Sequence, residues 1–244
     1  MKKLKEQKQD TLAIAKPHPL NIHWALVLLI FMVGRAPGEA HAKYVKSVTC
    51  EGVTSSNSLI FLHGIDSPRK PDAANSSAYQ VIKKISSSLK VRLALPRSNT
   101  PCKQGRKICW NVSNQVEDLK KIYTELNNKS APCFQKQSKP MLAAFSNGGY
   151  FLNKLVHHCL LPKDTIVISI GAAGNVRSNA PLTTCGSLDL VLGKYESTYS
   201  AGVKYYLRMK SLNAKVTLTK FNGGHMVPYD PLFAIIKKNI KSVQ

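Results

Sequence analysis

The chain of 244 residues is long enough for one α/β domain. With 43% apolar residues it can build a core, which excludes whole-chain disorder and a multi-span membrane protein. Thirty-five Lys and Arg against 13 Asp and Glu give a formal charge of +22, which points to an anionic environment or partner.

The first 42 residues read as a secretory leader. Lys2, Lys3, Lys5, Lys8 and Lys16 form a basic start, Ala25 to Val33 is a short apolar run, and Ala40-His41-Ala42 is a small-x-small cleavage signal. The run is too short to span a membrane, so the expectation is export with cleavage after Ala42. Setting aside the leader's six basic and three acidic residues leaves 29 basic and 10 acidic, a formal +19 on a single domain from 43 to 244. That charge is either a solvated surface or a means of adsorbing to anionic envelope, phospholipid or polymer. No zinc finger or aromatic-rich RNA-binding segment occurs, so sequence-specific nucleic-acid binding is not expected.

In chain order, Ser58 to His63 reads as a buried strand and Ser77 to Leu89 as a helix with Val81, Ile82, Ile85 and Leu89 on one face. Val91 to Leu95 is a strand that Pro96 should stop. A helix from Ser113, its cap, to Leu126 follows. Met141 to Phe145 is a strand and Gly148 to Leu161 a helix. Strands at Thr165 to Ile170, Leu188 to Leu192 and Lys215 to Phe221 alternate with helices at Thr198 to Lys210 and Tyr229 to Lys241. Short apolar strands separated by helices predict an α/β fold, a mostly parallel sheet flanked by helices on both faces.

All six cysteines, Cys50, Cys102, Cys109, Cys133, Cys159 and Cys185, follow the leader. An even set in an exported chain is expected to be oxidised, and only Cys102 with Cys109 is close enough to propose as a pair. No Cys or His spacing fits a zinc site, and neither metal nor cofactor is expected.

Three segments carry candidate chemistry. Ala144-Phe145-Ser146-Asn147-Gly148 lies between a strand and a helix. Small-x-Ser-x-Gly there is a nucleophile elbow, a turn tight enough to demand small flanking residues. His225, in Gly223-Gly224-His225-Met226, follows the last strand, where a base able to take the Ser146 proton is expected. Activity should then depend on an ionisation near neutrality, falling as the ring protonates. Glu196, just past the strand ending at Leu192, is the favoured acid. Asp189 and Asp164 belong to the far end of the sheet, and Asp230 to a helix start. Leu62-His63-Gly64-Ile65 ends the first strand, so the backbone N–H groups of Ile65 and Asn147 are the candidate oxyanion donors.

Phe61-Leu62-His63-Gly64, the Ser146 elbow, Glu196 and Gly223-Gly224-His225 together resemble the α/β-hydrolase superfamily over about Ser58 to Lys241. The build is similar to secreted esterases of the polyhydroxyalkanoate-depolymerase and feruloyl-esterase type, and Gly-Gly-His-Met segments also occur in serine carboxypeptidases. Ala144 replaces the usual Gly, and Glu196 the commoner Asp. The resemblance implies a serine hydrolase opening carboxylic esters through an acyl-enzyme. The alternatives are a peptidase or thioesterase with the same residues, or a cationic envelope-binding protein without turnover. No insertion is long enough for a cap: Gly171 to Ser187 and Pro96 to Asn111 are short, so an open cleft is expected.

Overall fold

Strands buried on both faces need apolar residues almost end to end. Ser58–Leu62 (β2), Met141–Phe145 (β4), Ile166–Ile170 (β5) and Ser187–Gly193 (β6) have that character. With Val45–Glu51 (β1), Arg92–Ser98 (β3) and Val216–Phe221 (β7) they form one seven-stranded sheet, order β1-β3-β2-β4-β5-β6-β7. Only β1 runs antiparallel to its neighbour. The computed structural model describes residues 44–53, 55–66, 76–103, 105, 107–110, 113–135, 140–174 and 185–241. All fall in the unit Ala42–Gln244, and the leader expected at 1–42 lies outside them.

Among the described residues five α-helices cover the sheet: Ser77–Leu89 (α1), Val116–Ser130 (α2), Asn147–His157 (α3), Tyr199–Ser211 (α4) and Tyr229–Lys241 (α5). Alternation along the strands splits the core in two. Ile60, Leu62, Leu142, Ala144, Leu188 and Leu190 pack beneath α2, α3 and α4. Leu59, Phe61, Ala143, Ile168, Ile170 and Val191 pack beneath α1 and α5. The parallel neighbours β2, β4, β5 and β6 all end on the side where their following loops converge, which is where ligands meet open α/β sheets.

The structure departs from the sequence expectations at four points. β1 is absent from the sequence reading; only Val45 of it is fully buried, and a register shift between Val45 and Ser47 breaks its alternation. Glu125 on α2 accepts from the Tyr44 and Val45 N–H groups at 3.0 and 3.1 Å, fastening this edge strand down. Pro96 does not stop β3, because pairing with β2 ends at Ala94; beyond it β3 has β1 alone as a neighbour, and a residue without N–H is tolerated there. Ser113 does not cap α2, which starts three residues later; its Oγ instead accepts from Gln115 N–H and donates to Asp118. On α1 the buried face is Tyr79, Ile82, Ile85 and Ser86, with Val81 and Leu89 at its margins.

The six cysteines form three disulfides. Cys50–Cys133 joins β1 to the turn after α2, Cys159–Cys185 joins the end of α3 to the start of β6, and Cys102–Cys109 closes a seven-residue loop as expected.

Candidate active site

The chain leaves β4 and enters α3 through Ser146, which holds φ 53° and ψ −115°. A positive φ at a residue with a side chain costs of order 1–3 kcal/mol and persists where the surroundings enforce it. Here Ser146 N–H donates to Ile170 O of β5 at 2.8 Å, and Ser146 O accepts from Tyr150 N–H in the first turn of α3 at 3.0 Å. The strained turn lifts the hydroxyl off the end of the sheet beside the N-terminus of α3, where free N–H groups and the helix dipole favour negative charge.

His225 reaches that hydroxyl from the loop after β7: its Nε2 lies 2.9 Å from Ser146 Oγ, and its Nδ1 lies 3.0 Å from Glu196 Oε2. A carboxylate facing Nδ1 fixes the ring proton there and leaves Nε2 to accept from the serine hydroxyl. The Glu196 side chain is 1% exposed and the His225 side chain 43%, so a buried carboxylate holds a histidine that is open to solvent. Phe145, preceding Ser146, packs its ring 4.7 Å from the imidazole centroid.

Backbone contacts hold the Glu196 and His225 loops together. Tyr195 N–H donates to Gly223 O at 3.0 Å and Lys194 N–H to Phe221 O at 3.0 Å. Gly193 lies so close to this pairing that a Cβ on it would stand 2.4 Å from Gly224 O. Gly171, at the end of β5, has φ +58°, and a Cβ there would come within 3.0 Å of His225 Nδ1 and 3.1 Å of Glu196 Oε2. Sequence reasoning treated Gly171 only as the start of a loop. Its place after a strand that neighbours the elbow strand is the one signal that could have found it.

The loop after β2 lies against the elbow. A Cβ on Gly64 would stand 3.1 Å from Ser146 Cβ, which brings the segment bearing Ile65 beside the hydroxyl. Asn147 is the first residue of α3, and its side-chain Oδ1 accepts from Trp110 N–H at 2.7 Å. Asp66 exchanges both backbone hydrogen bonds with Ile108, at 3.2 and 2.9 Å. The loop closed by Cys102–Cys109 therefore touches both segments expected to supply oxyanion donors, which its sequence did not announce.

His63 is not part of the Ser146 chain of hydrogen bonds. Its Nδ1–H donates to Gly64 O at 2.5 Å and its Nε2 accepts from Ser98 N–H at 3.2 Å, and burial holds its imidazole below the ordinary value. Asp189 lies on β6, bonded by Thr217 and, at 3.3 Å, by Asn239, away from the His225 loop. Asp230 lies in the first turn of α5. Among the described residues no group of three or more His, Cys, Asp or Glu is placed to hold a metal ion.

No protein-family model matches the chain, and no curated protein matches it in sequence. Solved structures do match in fold. Acyl-protein thioesterase 2 of Zea mays aligns with a TM-score of 0.56 at 14% identity, over 81% of this chain and 99% of that one. An alpha-beta serine hydrolase homologue from Coxiella burnetii gives 0.52 at 15% identity, over 81% and 95%. Esterase PE8 gives 0.54 at 11% identity, over 83% and 100%. With its sheet order and strand-to-helix turn at Ser146, the chain has the fold of the α/β-hydrolase superfamily.

Proposed function

We propose that this chain is an exported serine hydrolase that cleaves carboxylic esters. The observation that carries the reading is the hydrogen-bonded series Ser146, His225 and Glu196, hung on a strained turn at the ligand-facing end of the sheet. Ser146 Oγ attacks the ester carbonyl as its proton passes to His225 Nε2. The imidazolium so formed sits against the buried Glu196 carboxylate. The N–H groups of Ile65 and Asn147 receive the oxygen that gains charge. His225 then returns the proton to the departing alcohol. Water, deprotonated by the same nitrogen, frees the acid from the acyl-enzyme.

The rim favours an acyl substrate in an open site. Ile65, Tyr195 and Met226, beside the oxyanion loop, Glu196 and His225, each expose more than half of their surface. Part of the segment from Gly171 to Ser187, read as too short for a lid, lies outside the described residues. Export is supported by the three disulfides, and removal of 1–42 rests on the sequence of that segment. The +19 charge suits a substrate presented on an anionic envelope or polymer, whose turnover should weaken as salt rises.

The test is hydrolysis of an ester panel of graded acyl length by the wild type and Ser146→Ala, with thioester and peptide substrates in parallel. Ester turnover that falls about 10⁴-fold or more in the variant is expected. Turnover untouched by the substitution, or folded protein inert toward every member, would refute the reading; the second result would leave the non-catalytic envelope binder standing.

A further inference from the structure

A cavity of about 160 Å³ opens where the bulge of β1 meets the end of β3 and the loop closed by Cys102–Cys109. It has room for several waters, hence for a carboxylate or phosphate group and its hydration. Lys46, Arg97 and Lys107 line it from three separate segments, with Ser98, Asn99 and Ile108 between them, and among the described residues no acidic side chain contributes to the lining. Lys46 is the extra residue at the irregular β1–β3 register, where a bulge re-aims a side chain. Arg97 is only 7% exposed, and a guanidinium keeps its charge wherever it is placed. The nearby carboxylate is Asp66, whose charge and that of Arg97 act on His63 with opposite sign. Counting it, these four described side chains sum to +2.

This cavity shares a wall with the oxyanion segment. Ser98 N–H bonds His63, which precedes Gly64, and Ile108 pairs with Asp66, which follows Ile65.

We propose that Lys46 and Lys107, beside the charge of Arg97 in the cavity wall, form an anion subsite that holds a carboxylate or phosphate carried by the substrate. This rests on the hydrolase reading and narrows its substrate class to anionic esters. General attraction by the +19 surface would act on any anion; a defined cavity discriminates by distance as well.

Matched ester pairs of graded chain length test it. In each pair the chain ends in a carboxylate or in a primary amide, with the end group on the acyl side in one set and on the alcohol side in the other. In at least one pair the wild type should prefer the carboxylate at least tenfold in kcat/KM, through KM. The variant carrying Lys46→Ala and Lys107→Ala, both surface positions, should lose that preference. Inorganic phosphate should inhibit the preferred carboxylate ester and leave its amide partner alone. Equal kcat/KM within every pair, a preference that survives in the double variant, or equal inhibition of both members would overturn the proposal. Calorimetric binding of inorganic phosphate to the wild type and the double variant separates the two levels. Phosphate bound by the wild type alone upholds the anion site even where no ester is turned over, whereas equal binding by both proteins contradicts it.

Discussion

The two halves of the site are positioned by different means. On the side of the proposed nucleophile, Ser146 is fixed by a strained backbone, and the segments expected to supply oxyanion donors are tied by Ile108 and Trp110 to a loop that a disulfide closes. On the histidine side, no covalent tie acts: Gly171 and Gly193 leave out side chains, so that the Glu196 and His225 loops can close on each other. One half is held by added bonds and the other by omitted atoms. The first should therefore fail by loosening, and the second by crowding.

The largest effect expected short of removing the nucleophile is on the histidine side. Glu196→Gln keeps the shape and removes the charge that supports the imidazolium, so kcat should fall by about 10² to 10⁴-fold with the fold intact. A change under threefold would mean that His225 does not depend on Glu196.

Next comes crowding itself. Gly171→Ala places a methyl within 3.0 Å of the imidazole at a positive φ, and a displacement of about 1 Å in a reacting group can cost about 10²-fold. The expected signature is a loss in kcat with little change in KM. Unchanged kcat would show that the histidine loop has slack that the present geometry does not suggest.

Loosening the other half should cost less. In a Cys102→Ser and Cys109→Ser double variant the loop against Ile108 and Trp110 is freed, and kcat should fall about tenfold because only the oxyanion segments are affected. The closed loop is short, worth about 2–3 kcal/mol of stability on the chain-entropy account, so circular dichroism should still report a folded chain. Undiminished kcat would show that the elbow needs no external brace.

The smallest effect concerns His63. Burial lowers its imidazole below about 6.5, so between that value and the lower folded value the unfolded chain holds a proton that the folded chain refuses. Stability is full above this window and is lost as pH falls through it. His157 and His158, also lowered by burial, act in the same direction. His63→Asn should flatten the fall of Tm on acidification; an unaltered slope would assign the acid sensitivity elsewhere.

How legible these features were follows from what each depends on. The central strands could be read because burial on both faces imposes uninterrupted apolar runs, and the elbow because its turn restricts its flanks to small residues. Glu196 is picked out by strand order alone, and its carboxylate lies 3.0 Å from His225 Nδ1. β1 was not read, because its bulge spoils the alternation and its anchor, Glu125, comes from a distant helix. Pro96 misled because the strand lost one neighbour where no sequence pattern marks it. The role of Gly171 and the meeting of Lys46, Arg97 and Lys107 depend on neighbours that only the folded chain supplies.

The central claim is that Ser146 is a nucleophile activated by His225. Its most direct test is the rate and position of covalent labelling by a fluorophosphonate, followed by intact-protein and peptide mass spectrometry. One adduct per chain on Ser146 is predicted, absent in Ser146→Ala and formed at least 10²-fold more slowly in His225→Ala. An adduct on another residue, or equal labelling rates in folded wild type and His225→Ala, would contradict it.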